Sequence, residues 1–279
     1  MDKRLVQVCQ AGNIEAFYAL LDDEPNILNF IDDVPFTRTP LHLAVLARKP
    51  YFAREIASLR PSFITKIDRF GYSPIHLAAE TGQVEMVRNL LEKLAPTKKE
   101  LTKGKENRTP LHVAVISGKV EVVKFLVKYY PSCIMDTTTR NETALHLAVK
   151  NKQLGAFLVL LEQLKLANQS QRNVPLLLLG AVYGSSFDKS KVTSDLLNCK
   201  DDEGNTILHL AIMMKQQQMV EALLNTCTNS AGTLQVDVNT LNGKNFTALD
   251  ILLQCPLEQR DAKIEENLRS IGAKSYKQH

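Results

Sequence analysis

Five of the six histidines, His42, His76, His112, His146 and His209, each close a tetrapeptide of the same form: Thr39-Pro40-Leu41-His42, Ser73-Pro74-Ile75-His76, Thr109-Pro110-Leu111-His112, Thr143-Ala144-Leu145-His146 and Thr206-Ile207-Leu208-His209. Imidazoles can ligate a metal or move a proton, so both chemistries need weighing. A metal site draws three or four ligands to about 2 Å from one ion, and a nucleophilic site sets a histidine between a Ser or Cys and an orienting carboxylate. The spacing opposes both: the first four histidines are 34, 36 and 34 residues apart. That is the period of one supersecondary unit stacked on copies of itself, and each unit advances by roughly 10 Å, a helix packing distance. The imidazoles are therefore expected to be dispersed and structural. No G-x-S-x-G, H-E-x-x-H or G-x-x-x-x-G-K-S/T sequence occurs, so the chain is read as a non-enzyme with no catalytic residue, cofactor or metal.

The elements that would position these residues follow from the copy around His76. Asp68-Arg69-Phe70-Gly71-Tyr72 makes a turn, and the place five before the signature residue holds Gly71, Asn107, Asn141, Gly204 and Asn245, residue types that tolerate left-handed backbone. Thr37 alone departs. Ser73 or its threonine counterpart then caps a short helix, with proline tolerated at the first helical place. This helix is expected over Pro74 to Thr81 with a stop at Gly82; Arg48, Lys152 and Lys215 stand where Gly82 and Gly118 stand, at a cost of about 1 kcal/mol each if left-handed. A second helix follows, with Val84, Val87, Leu90 and Leu91 facing inward and Glu85, Arg88 and Glu92 facing water. A pair this small buries its apolar face only against the next pair.

Composition agrees with a repeat array. The 279 residues are 44% hydrophobic with net charge +4 from mixed signs, too weak a bias to argue nucleic acid binding alone. Cys9, Cys133, Cys199, Cys227 and Cys255 are scattered without C-x-x-C pairs, as buried thiols of a reducing compartment would be. No secretory signal is readable, and the densest apolar run, 174–182, is about half a membrane span. The chain is expected to be soluble and cytoplasmic.

The whole chain, 1–279, reads as one all-α solenoid of turn-helix-helix units. Residues 1–34 form a degenerate capping unit whose Ala11-Gly12-Asn13-Ile14 marks a helix stop and restart, with Gln7, Gln10 and Glu15 outward. Regular repeats fill 35–167. Between His146 and His209 lie 63 residues, and 168–199 is either a degenerate repeat, with Leu177 in the histidine place, or an insertion. A repeat fills 200–240, and 241–279 is a closing unit and tail in which Asp250 takes the histidine place and a polar helix follows Pro256.

Thr39 to Ala44, Ser73 to Ala78 and Thr109 to Ala114 resemble the T-P-L-H-x-A signature of the ankyrin repeat. The layout further resembles the ankyrin half of a plant ankyrin/P-G-G family, bian-da-like and accelerated-cell-death-like, in the stretches Gln10 to Ala16, Phe36 to Ala44, Lys200 to Ala211 and Thr247 to Leu252. That resemblance implies a role in immune or stress signalling, with membrane anchoring in family members and a place at the cytoplasmic face of the plasma membrane through partners or a further region. It also implies that turn tips and first helices line a concave partner-binding face. The residues at those places are Phe36, Arg38, Arg69, Phe70, Tyr72, Lys105, Arg108 and Arg140, then Asp201, Asp202 and Glu203. One reading is a protein scaffold whose basic, aromatic half holds an acidic or phosphorylated protein segment; a second is a nucleic-acid-associated regulator using the basic turns; and a third is that solvated turns simply collect charge.

Overall fold

In the computed structural model the described residues are 2–94, 102–169, 189–227, 235–256 and 260–276, and all regular structure among them is helical. The chain divides into two compact units, Met1–Phe125 and Leu126–His279, with the division inside one helix.

In the first unit, α1 (Lys3–Ala11) and α2 (Ile14–Asp23) form a hairpin, followed by α3 (Ile27–Asp33). Gly12 joins the pair in left-handed backbone (φ 71) and Asn13 caps α2 by accepting the Ala16 amide at 3.0 Å. Gln7, Gln10 and Glu15 are exposed, while Leu5, Cys9 and Phe17 are sealed inside. Helix pairs α4 (Pro40–Leu46) with α5 (Pro50–Leu59) and α6 (Pro74–Glu80) with α7 (Val84–Lys93) come next, then α8 (Pro110–Ile116) and the start of α9 (Val120–Tyr129). First helices pack in the series α1, α4, α6, α8, and α5 packs on α7. The Phe17 and Phe52 rings meet edge to face at 5.2 Å, and each such buried side chain contributes about 1.5–3 kcal/mol.

In the second unit, α10 (Ala144–Lys150) and α11 (Leu154–Gln169) form a pair; α12 (Lys189–Asn198) packs against α11. The pairs α13 (Ile207–Met213) with α14 (Gln217–Cys227) and α15 (Ala248–Gln254) with α16 (Ala262–Ser270) follow. Here α10, α13 and α15 pack in series, and α11, α14 and α16 pack behind them. Helix α10 therefore stacks directly on α13 across the long interval in sequence. Most of the stretch read as a degenerate repeat or an insertion, 170–188, lies outside the described residues. In chain order α12 precedes the turn before α13 as the 3-10 turns Pro61–Ile64 and Pro131–Met135 precede the turns before α6 and α10.

Local physics explains where the helices start and stop. From α4 onward each first helix begins at a Thr or Ser in extended backbone (ψ 165–170) whose reciprocal bond with the third helical residue satisfies an otherwise orphan amide. Each is seven residues long, and five of the six end at a left-handed residue: Gly82 (φ 76) and Gly118 (φ 64), but also Arg48 (φ 55), Lys152 (φ 55) and Lys215 (φ 52), whereas α15 ends at Cys255 in extended backbone (φ -69). In the second helix of the His76 repeat the inward face is rotated from the expected one. Met86 is buried beside Val87, Leu90 and Leu91, and Val84 is only half-buried, because the helix packs on α5 as well as on its own partner α6.

Candidate functional site

The signature histidines are wholly buried and lie on separate units of the repeat, each within its own capping box. At His42, Nδ1 accepts the Thr39 amide at 3.1 Å, and the same bond recurs at His76 (3.2 Å), His112 (3.1 Å), His146 (3.3 Å) and His209 (3.2 Å). An Nδ1 used as acceptor leaves the proton on Nε2. That N–H then donates to a carbonyl of the following turn: His42 to Tyr72 O at 3.0 Å, His76 to Arg108 O at 2.9 Å, and His209 to Phe246 O at 3.1 Å. His146 reaches Asn205 O at 3.3 Å, with Cys199 O at 3.2 Å. Each of these four rings thus bolts its own helix start to the neighbouring repeat. Burial disfavours the imidazolium and pushes His42 and His76 down to about 4, and His146 and His209 below the ordinary value by the same cause. Among the described residues no group of three or more His, Cys, Asp or Glu is placed to hold a metal. Burial also pushes the Cys9 thiol up to about 12 and raises Cys133, so neither is a thiolate nucleophile at neutral pH.

The turns obey a second rule that the sequence carries but that motif reading missed. Eight residues before the signature place, Asp68 accepts the amides of Phe70 (2.9 Å) and Tyr72 (3.1 Å), and Thr138, Asp201 and Asn242 do the same for their turns. Such a side chain mimics a backbone turn and fixes the following tip. The signal was Asp, Thr, Asp and Asn at one fixed offset. Adjacent tips are also tied by main chain: Lys105 N to Gly71 O at 3.1 Å in the first unit, and Asp202 N to Arg140 O at 3.1 Å and Gly243 N to Glu203 O at 3.0 Å in the second.

The residues expected to meet a partner divide sharply by environment. In the first unit Phe36 (64% exposed) and Phe70 (47%) are displayed, and the Arg38 and Arg69 guanidinium groups lie 5.4 and 4.8 Å from the Phe70 ring centre. Arg38 also pairs with the buried Asp68 at 3.1 Å, and Arg108 pairs with Glu106 at 2.6 Å. Exposed Lys105 and Arg69 carry the remaining positive charge of this set. Tyr72 is half-buried with its ring edge-on to His76, 6.3 Å between centres. Phe36 itself sits in left-handed backbone (φ 50), so the departure expected at Thr37 falls one residue earlier.

In the second unit Arg140, Asp202 and Glu203 are exposed, and the Asn141 amide group donates to Asp202 at 2.6 Å. Asp201 is not displayed: it is 5% exposed and spent on its own turn and on Lys150 at 3.0 Å. Lys150 also bonds Glu142, itself buried, at 2.8 Å. Burial alone would pull the Lys150 ammonium down, but its hydrogen bonds and charge pairing with the two carboxylates outweigh that and hold it above the usual lysine range.

Imidazoles spent on joining one repeat to the next, with aromatic and charged side chains left at the turn tips, define a repeat-stacking scaffold of the protein-interaction kind. The ankyrin-repeat model of three copies matches residues 5–103 and 93–173, and the single ankyrin-repeat model matches 203–232. The chain belongs to the ankyrin-repeat family. Over 73 residues it is 40% identical to the Ankyrin repeat-containing protein BDA1 of Arabidopsis thaliana, a match spanning 26% of this chain and 17% of that relative. The ankyrin repeat domain of Bcl-3, a member of the IkappaB protein family, superposes with a TM-score of 0.69 at 23% identity, over 96% of this chain and 98% of that one.

Proposed function

We propose that this chain is a non-catalytic scaffold in plant immune or stress signalling that holds an acidic or phosphorylated segment of a partner protein at the turn tips of its first unit. The observation that carries this reading is the Arg69–Phe70 tip. Its guanidinium is stacked on an exposed ring, and the neighbouring Phe36 is displayed at the cost of a left-handed backbone. An arginine fork beside aromatic anchors suits a carboxylate or phosphate followed by an apolar side chain. The plant setting rests on the partial likeness to the Arabidopsis protein. A cytoplasmic location, at the plasma membrane when a partner holds it there, belongs to the same reading.

The test is selection of peptides from a displayed random library, with and without a phosphoserine position, by the wild-type chain beside an Arg69→Glu/Phe70→Ala variant. Acidic or phosphorylated peptides are expected to be enriched by the wild type alone; equal enrichment by both proteins would overturn the assignment. Nucleic acid suits the site less well, because Arg38 and Arg108 are already paired with carboxylates. Tight oligonucleotide binding that falls steeply with salt would reverse that preference.

A further inference from the structure

The place held by histidine in the other repeats holds Asp250 in the α15 repeat, and there the hydrogen bonding changes direction. Asp250 is fully buried. Its Oδ2 accepts the Thr247 amide at 2.9 Å, doing for α15 what Nδ1 of histidine does for the other first helices. The outer atom differs. His209 Nε2–H donates to the Phe246 carbonyl of the next turn, whereas a carboxylate oxygen can only accept. Asp250 Oδ1 accepts the Ser275 hydroxyl at 2.7 Å and the Tyr276 amide at 3.2 Å.

Those two residues belong to a short strap, Gly272 to Tyr276, that leaves α16 through left-handed Gly272 (φ 89) and returns to the start of α15. Other anchors hold it. The Thr247 hydroxyl donates to Lys274 O at 2.9 Å, Asn239 Oδ1 accepts the Lys274 amide at 2.7 Å, and Asn239 Nδ2 donates to Gly272 O at 3.1 Å. Within the strap Ala273 is buried while Lys274, Ser275 and Tyr276 remain exposed.

We propose that this strap is a latch that fills, in the α15 repeat, the place a following turn fills in the earlier ones, and that Asp250 selects it by offering an acceptor where histidine offers a donor. While latched, it closes this face of α15 to stacking by another ankyrin-type turn, a second copy of this chain included. The polarity of one side chain therefore decides whether the repeat continues into a neighbour or is sealed.

Asp250→His is the discriminating variant. Its Nδ1 can still accept the Thr247 amide, which preserves the helix start, but its Nε2–H would face the Tyr276 N–H, donor against donor. The Ser275 hydroxyl can turn to accept from Nε2–H, but the Tyr276 amide loses its acceptor, so amide exchange over 272–276 and native-state tryptic cleavage after Lys274 are expected to accelerate by about fivefold or more in the full chain. Exchange in α13 should stay at the wild-type rate. Strap protection equal to that of the wild type would overturn the latch. Should Asp250→His loosen α13 as well, Asn239→Ala decides the matter, because it removes the strap's anchor from outside the helix: faster exchange over 272–276 supports the latch and an unchanged rate refutes it. Sedimentation velocity tests the sealing. The opened variant is expected to associate with rising concentration where the wild type does not, and identical sedimentation of the two would overturn that part.

Discussion

A buried imidazole that accepts through one nitrogen and donates through the other has no room for a second proton. That fact makes acid the natural probe of the repeat-to-repeat bolts. The unfolded-state value of a histidine is about 6.5, and His42 and His76 are pushed down to about 4 in the fold. Between those limits the unfolded chain binds more protons, so stability is full above pH 6.5, falls as pH drops through the window and levels off below about 4. From pH 7 to pH 5 each of these two residues should remove roughly 2 kcal/mol of unfolding free energy, with further losses in the same direction from His146 and His209. Urea unfolding at the two pH values measures this, and coincident curves would disprove it. Lys150 is another residue with a partner set by stacking. Replacing it with methionine leaves Asp201 and Glu142 buried without their cation and should cost about 3–5 kcal/mol, read as a lowered denaturation midpoint. The histidine positions were legible because their neighbours Thr and Pro mark a helix start within four residues. Their outer partners, and the Lys150 bridge, were not, because those bonds join residues about 30 to 60 apart whose meeting depends on the packing of one repeat on the next.

At the scale of the turn and helix, the sequence was informative wherever a residue type is tied to a backbone angle. Gly71, Asn107, Asn141, Gly204 and Asn245 all take positive φ, as their types demanded. The first full repeat escaped the rule for a physical reason. Its residue eight before His42 is Val34, which cannot accept amides as Asp68 does, and the left-handed residue shifts to Phe36. Gly104 holds that place before His112 and likewise lacks an acceptor side chain, and there Glu106 joins Asn107 at positive φ. Helix stops give a prediction of the opposite sign to most substitutions. Lys152 sits at φ 55, where a Cβ is strained. Lys152→Gly relieves that strain against a larger loss of chain entropy, and should raise stability by up to about 1 kcal/mol, seen as a higher melting temperature. Gly243→Ala should do the reverse. A Cβ there would stand 2.3 Å from the Glu203 carbonyl that the same residue's amide bonds, and relieving the clash should cost about 1–3 kcal/mol. A melting temperature equal to that of the wild type would mean the two tips are not in contact.

For the molecule as a whole, the repeat period was the most legible property, because a fixed interval between identical helix starts survives any variation of surface residues. Where the interval doubled, from His146 to His209, the sequence admitted both a degraded repeat and an insertion, since Val174-Pro175-Leu176-Leu177 copies the apolar pattern without the bonding groups. Hydrogen bonding supplies what pattern could not. His146 donates to Asn205 O as His209 does to Phe246 O, Asp202 N reaches Arg140 O, and Lys150 spans to Asp201. The repeats of His146 and His209 are therefore immediate neighbours, and these stacking bonds are made by residues outside 170–188. In a stack held by nearest-neighbour interfaces, these bonds join the two repeats directly. Replacing 170–188 by a Gly/Ser linker of equal length, with α11 and α12 intact, should leave α10 and α13 as strongly protected from amide exchange as in the wild type, whereas cutting the same interface by Lys150→Met should expose both. Loss of protection at α10 and α13 in the linker variant would show that the two repeats need that stretch to stay joined.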